Sequence, residues 1–207
     1  MKNFFVAFEG IDGSGKSTQV KRLAHRLESL GHRVHVTCEP TTGPIGRMIR
    51  DIFTGKMPAD QHTIAALFVA DRMEHLLNPQ DGLLKLLQEG YTVISDRYYF
   101  SSYAYHSVHV PMQWVIDCNA RAAELLKPDL NVFVDIHPEV SMDRIQRGRS
   151  STELYENLEN LTQTRAMYLE AIQLLKHEEK IIQIDGSLTE DEVSKSVWGG
   201  LQDAGLV

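Results

Sequence analysis

The chain has 207 residues, 43% of them hydrophobic, and a formal net charge of −7 at pH 7. That length supports one substantial core and leaves little for a second domain. The acidic balance, with no long basic run, excludes a broad nucleic-acid-binding surface, and no uninterrupted apolar stretch reaches membrane-spanning length.

In chain order, Phe4 to Phe8 is an apolar run of strand length. It leads into Gly10-Ile11-Asp12-Gly13-Ser14-Gly15-Lys16-Ser17, followed by Thr18. From Ser17 to Leu30, Val20, Leu23, Leu27 and Leu30 recur at helical spacing until Gly31 stops the helix. Arg33 to Thr37 alternates as a second strand, Glu39 to Pro44 is a loop, and helices are expected near Ile45 to Phe53, over 60–78 and from Leu83 to Gln88. Tyr91 to Ser95 is a third strand that ends at Asp96-Arg97. Pro111 opens a helix to about Leu126, Leu130 to Ile136 is a fourth strand, and Pro138 starts another helix. The polar run from Arg144 to Thr152 reads as a loop, followed by a helix from about Tyr155 to Lys176. Ile181 to Ile184 is a fifth strand, and Leu188 to Leu201 is a closing amphipathic helix.

Strands alternating with helices predict an α/β protein: a five-stranded parallel sheet flanked by helices, in three layers. Ligands in such sheets bind beyond the carboxyl ends of the strands. Three chemically loaded turns fall there, at Asp12 to Ser17, Glu39-Pro40 and Asp96-Arg97. The first has the spacing G-x-x-x-x-G-K-S, the phosphate-binding P-loop, in its expected setting between a strand and a helix. Glycines let the backbone turn its N–H groups inward to phosphate oxygens, Lys16 reaches the β- and γ-phosphates, and the Ser17 hydroxyl is suited to Mg²⁺. The whole of 1–207 is thus expected to be one P-loop NTPase-type domain, with the polar segment at about 144–156 as a candidate lid.

Other signals allow two readings each. Asp96 suits a carboxylate that holds Mg²⁺ directly or through water, or a helix N-cap. Arg97 suits a phosphate, or a salt bridge with its neighbour. Arg144, Arg147 and Arg149 form either a solvated surface or a lid that closes on a transferring phosphoryl group. Phe68 and Arg72, four apart on one helical face, are either core and surface residues or a nucleobase clamp. The Tyr98, Tyr99, Phe100, Tyr103 and Tyr105 cluster reads first as core. No metal spacing occurs among the nine histidines. Cys38 and Cys118 form no close-spaced pair and the amino terminus shows no secretory leader, so the expected setting is the reducing cytoplasm.

Taken together, the segments Phe8 to Gln19, Glu39-Pro40 with Pro44-Ile45-Gly46 and Ile49-Arg50, Leu67-Phe68 through Asp71-Arg72, Asp96-Arg97-Tyr98-Tyr99-Phe100-Ser101-Ser102-Tyr103-Ala104-Tyr105, and Lys127 to Leu130 resemble the thymidylate kinase family over almost the whole chain. The resemblance implies an ATP-dependent kinase that converts dTMP to dTDP, with Mg²⁺, as a homodimer. It implies a donor site from Gly10 to Thr18 with Arg144, Mg²⁺ held at Ser17 and Asp96, and catalytic roles for Asp12, Lys16, Arg97, Arg147 and Arg149. Phe68 would stack on thymine and Arg72 would bond its carbonyl, with Ser101, Ser102 and His106 near the base. Arg50 and Arg97 would grip the acceptor phosphate. Asp12 would engage the 3′-hydroxyl, Tyr105 the sugar edge, Tyr155 would close over the nucleotide, and Glu39-Pro40 would complete the acceptor site. Gly13 stands where some members carry a P-loop arginine, so the chain looks like the type with lid arginines. It departs from many bacterial members at Cys38, His106 and Leu154. Rivals are another small-acceptor kinase, a GTP switch protein, for which the N-K-x-D tetrapeptide is missing, and a non-catalytic nucleotide-binding module.

Overall fold

The computed structural model describes residues 2–148, 155 and 157–207. Its elements run β1 (Phe5–Glu9), α1 (Lys16–Ser29), β2 (Val34–Cys38), α2 (Pro44–Phe53), α3 (Gln61–Leu77), α4 (Leu83–Gln88) and β3 (Thr92–Asp96). They continue with α5 (Tyr99–His106), α6 (Met112–Leu125), β4 (Leu130–Asp135), α7 (Pro138–Gly148), α8 (Leu158–Leu175), β5 (Ile181–Asp185) and α9 (Glu190–Asp203). The five strands pair in the order β2-β3-β1-β4-β5, every pair parallel. The expected α/β sheet is therefore present.

The central strand β1 is buried along its whole length, which its unbroken apolar run dictates for a strand covered on both faces. Its side chains alternate between two cores. Phe4, Val6 and Phe8 pack with Val20, Leu23 and Leu27 of α1 and with Val193, Val197 and Leu201 of α9. Phe5 and Ala7 pack on the opposite face with Tyr98, Tyr99, Phe100 and Tyr103, and with Tyr168 of α8. The aromatic cluster after β3 is thus core as its composition suggests, except Tyr105, which reaches the site. Adjacent strands β1 and β4 send their connections to opposite edges of the sheet, β2 and β5. Such a switch point opens a crevice at the carboxyl ends, where the P-loop begins.

Three boundaries differ from expectation for identifiable reasons. The run beginning at Arg144 was expected as a loop, yet α7 continues through Gly148. Ile145 is buried in the core, Ser141 and Arg144 hold P-loop carbonyls and Arg144 also that of Gly186, so tertiary contacts keep this polar turn helical. Arg144 and Arg147 are accordingly helical residues, whereas Arg149 and most of the expected lid, residues 149–154 and 156, lie outside the described residues. Tyr155 precedes α8 instead of starting it, because the Asn157 side chain caps that helix by accepting from the Asn160 amide at 2.9 Å. At the last helix Thr189 and Glu192 form a reciprocal capping box, which moves its start past Leu188.

Candidate active site

The loop after β1 turns sharply at two glycines. Gly10 has φ +143° and Gly13 φ +73°, and a Cβ on either would lie 2.5 Å from the Val134 carbonyl oxygen or 2.8 Å from that of Ser141. Only glycine allows both the backbone angle and the close approach to β4 and α7. Helix α7 braces the loop from behind. Ser141 Oγ donates to the Asp12 carbonyl, and Arg144 donates to the carbonyls of Gly186 at 3.0 Å and Gly13 at 3.5 Å.

Lys16 is 5% exposed and its ammonium donates to the Ile11 carbonyl at 2.9 Å. Burial lowers its pKa to about 8, and the Arg97 charge pushes the same way. Ser17 Oγ donates to Asp96 Oδ2 at 2.5 Å, which puts a hydroxyl and a carboxylate side by side at the mouth of the loop. Asp96 reaches this place because β3 extends one residue beyond expectation, in register with Phe8 and Cys38. A cleft of about 380 Å³ opens here, lined by Asp12, Gly13, Gly15, Lys16, Ser17 and Thr18 with Cys38, Glu39, Asp96 and Arg97. Gly10, Ile11, Ser14 and Arg144 shape the loop without lining the cleft.

A second cavity of about 290 Å³ adjoins it. Pro40, Arg50, Phe68, Ser101, Ser102, Tyr105, His106 and Tyr155 line it together with Asp12 and Arg97, as do Phe53 and Thr54, which the sequence reading did not select. Phe53, at the end of α2, sits 5.9 Å from the Phe68 ring and 5.3 Å from the Tyr155 ring. Tyr155 donates its hydroxyl to Gln61 Oε1 at 2.8 Å. His106 is 2% exposed with its ring 4.9 Å from Phe68, and its Nδ1 has no partner among the described residues. Burial, the Arg72 charge and His109 push its pKa down to about 3, so the imidazole is neutral at ordinary pH.

Arg97 and Asp12 form the wall common to both cavities. Arg97 Nη2 donates to Asp12 Oδ1 at 2.6 Å and to the Tyr105 hydroxyl at 3.1 Å, and that hydroxyl donates to Asp12 Oδ2 at 2.8 Å. Burial would raise the Asp12 pKa, but the charges of Arg97 and Lys16 override it and bring it to about 2. Both readings of Arg97 thus coexist: it is salt-bridged, to Asp12 and not to neighbouring Asp96, and it faces the cavities.

Arg72 and Glu39 lie one layer back and line the acceptor-side cavity with neither side chain. Arg72 is 1% exposed; its Nε and Nη2 donate to Glu39 Oε2 at 2.9 and 2.6 Å, and its Nη1 donates to Ser102 Oγ at 3.1 Å and to Asn119 Oδ1. Four of five guanidinium protons are engaged, leaving one on Nη2. The other Glu39 oxygen meets His75 Nδ1 at 3.0 Å. Although burial opposes it, Arg72 holds Glu39 below the usual carboxylate range. Arg50 donates to the carbonyls of Pro40 and Thr41, and buried Asp71 accepts from the Thr41 amide and hydroxyl at 2.7 and 2.6 Å. Asn119, Asp71 and His75 carried no motif of their own. The adjacency of Asp71 to Arg72, within a segment that resembles the family, is the one hint the sequence offers.

The sequence model of a family described as thymidylate kinase matches residues 8–197. The chain is 40% identical over 194 residues to a protein of Pyrobaculum aerophilum named probable thymidylate kinase, covering 93% of each chain. It is 35% identical over 210 residues to a protein of the same name from Methanococcus aeolicus, covering 99% of each. It is also 34% identical over 208 residues to one from Caldicellulosiruptor saccharolyticus named thymidylate kinase, covering 98% of each.

Proposed function

This chain belongs to the thymidylate kinase family, and from that premise we propose how its two cavities divide the work. As a member it is a nucleoside monophosphate kinase that phosphorylates dTMP with ATP. The cleft of the P-loop takes the ATP phosphates and the aromatic-lined cavity takes dTMP. What supports this reading above all is that the cavities meet at one shared wall, Asp12 and Arg97. A γ-phosphoryl group and an acceptor phosphate that approach from either side come together there.

Phosphoryl transfer needs little covalent chemistry from the protein, because acceptor phosphate oxygens are already nucleophilic; positioning and charge neutralisation carry most of it. Lys16, its pKa lowered to about 8 by burial, is held charged by an adjacent triphosphate and offsets charge developing between donor and acceptor. Arg97 holds the acceptor phosphate together with Arg50, which lines the same cavity. Ser17 Oγ and Asp96 Oδ2 are hard oxygen donors that fit Mg²⁺, which binds through one or two protein oxygens plus substrate phosphates. Bound there, the ion would neutralise phosphate charge. Arg147, at the carboxyl end of α7, and Arg149, outside the described residues, would add charge near the transferring group, within a single kinase domain spanning 1–207. The homodimeric state rests on family resemblance, and a cytoplasmic location on the wide separation of Cys38 and Cys118.

In the acceptor cavity Phe68 stacks on the base, and neutral His106 offers it a hydrogen-bonding edge without a charge. Arg72, behind the lining, acts through Ser102, whose hydroxyl it holds at 3.1 Å and which lines the cavity beside the base. Tyr105, its hydroxyl held by Asp12 and Arg97, stands as a fixed wall at the sugar. A fixed wall leaves a ribose 2′-hydroxyl neither room nor partner, which discriminates by exclusion. A coupled ADP-release assay across dTMP, dUMP, dGMP, dCMP, UMP and thymidine tests the substrate, with dTMP expected to give the highest kcat/KM. Tyr105→Ala should narrow the gap between dTMP and its ribose analogue by roughly tenfold or more. An unchanged ratio removes Tyr105 from the sugar site.

A further inference from the structure

We infer that Glu9 and Tyr168 are positioning residues for phosphoryl transfer: with Ser101 they form a buried cluster of oxygens that fixes the Arg97 guanidinium from behind. The inference rests on the reading of Arg97 as the grip on the acceptor phosphate.

Arg97 is the one non-glycine residue with positive φ, +77°, among those described. Its side chain therefore leaves the sheet from a backbone conformation that surrounding contacts must hold. The alternation of β1 turns Glu9 toward the α5 and α8 side, where it is 1% exposed. Its Oε1 accepts the Tyr98 amide at 2.9 Å, which pins the peptide leaving Arg97. Its Oε2 accepts from Ser101 Oγ at 2.6 Å and from the Tyr168 hydroxyl at 3.1 Å.

Those two hydroxyl oxygens in turn face Arg97 Nη1, at 3.1 Å from Ser101 and 3.3 Å from Tyr168, with the Gly10 carbonyl at 3.0 Å. Each hydroxyl has a single proton. The two oxygens also lie 2.8 Å apart, so one hydroxyl donates to Oε2 and the other to Oε2 or to its neighbour; in either arrangement the protons run toward the Glu9 carboxylate and leave lone pairs for Nη1. The carboxylate thus sets the direction of the whole relay, and Nη2 is left to face Asp12 and the cavities. A group that donated instead of accepting at Oε2 would turn the hydroxyls round and set their protons against the guanidinium. Nothing in the proposed chemistry uses Glu9 or Tyr168 directly, yet Tyr168 brings its hydroxyl from α8 across the fold to this point.

The variants separate orientation from packing. Tyr168→Phe keeps the ring against Phe133 and Tyr105, 5.1 and 6.2 Å away, and deletes only the hydroxyl. Glu9→Gln keeps an acceptor for the Tyr98 amide and reverses the relay. The experiment measures kcat, KM for dTMP and ATP, and Tm for Tyr168→Phe, Arg97→Lys and the double variant. Tyr168→Phe should lower kcat/KM for dTMP roughly tenfold, the scale of one hydrogen bond to a charged group. In the Arg97→Lys background, where no fork remains to orient, the same change should cost less than about twofold. A merely structural tyrosine would cost the same factor in both backgrounds, and that result, or an unaffected Tyr168→Phe enzyme, overturns the inference while leaving the role of Arg97 intact. Wild-type kinetics for Arg97→Lys alone would instead remove the phosphate grip, and the inference with it. Should Tyr168→Phe not fold, Glu9→Gln through the same cycle decides by the same outcomes.

Discussion

The two cavities hold their polar groups in opposite ways. The phosphate cleft is made largely of backbone turned by glycines, with Lys16, Ser17 and Asp96 set at its mouth. The acceptor side is built from side chains held by other side chains: Arg72 by Glu39, Ser102 and Asn119, and Arg97 by Asp12, Tyr105, Ser101 and Tyr168. A phosphate is the same on every nucleotide, so a short loop suffices to bind it. A base and a sugar must be told from others, which takes groups at fixed angles and hence buried networks to fix them.

If that contrast is right, damage to the two sides should differ in kind. Arg72→Ala strands the buried Glu39 carboxylate, and the expected loss is about 3–5 kcal/mol of folding stability as well as dTMP recognition. Urea unfolding measures it; a loss below about 1 kcal/mol would mean that the acceptor network is not integral to the fold. Lys16→Ala should lower kcat by about 10²–10³-fold while stability stays within about 1 kcal/mol of wild type. Near-normal turnover by the folded variant would defeat the cradle assignment. The third test sharpens the contrast through pH. Burial raises the Glu9 pKa from 4.5 to about 7, so the folded state binds a proton that the unfolded state has released. Stability from this group is full below about pH 4.5 and is lost as pH rises to about 7, on the order of 3 kcal/mol. Unfolding of wild type and Glu9→Gln at pH 5 and 7.5 should show Glu9→Gln gaining on wild type as pH rises. A constant difference would mean that Glu9 does not titrate in this window.

The same contrast explains what was legible in the sequence. The cradle is local: Gly10 to Thr18 announces it by spacing, and the apolar run before and the helical period after give its strand and helix. Asp96-Arg97 could be placed because an apolar strand ends there. The acceptor side gathers α2, α3, α5 and Tyr155 through space, so apart from Phe68 and Arg72, whose spacing of four admits a nucleobase clamp, its members show themselves by resemblance to a family. Phe53 and Thr54 end an ordinary amphipathic helix, and nothing local marks them as lining a cavity. Asn119 looks like any polar residue of α6 until Arg72 is seen against it. The turn from Arg144 was misread because polarity is shared by loops and by helices whose other face grips a neighbour; Ile145 alone recorded the difference.

One feature bears on how this molecule can change. Asp12 and Arg97 line both cavities, so each side chain answers to two ligands at once. A substitution at either cannot retune the acceptor without disturbing the donor, and selection for a new acceptor is penalised there twice. Phe53, Thr54, Phe68 and His106 line the acceptor cavity and not the cleft. Variation in base preference should therefore accumulate at that far end, where a replacement is judged by one substrate only. Histidine 106, the position that departs from the family habit, lies in that permissive zone.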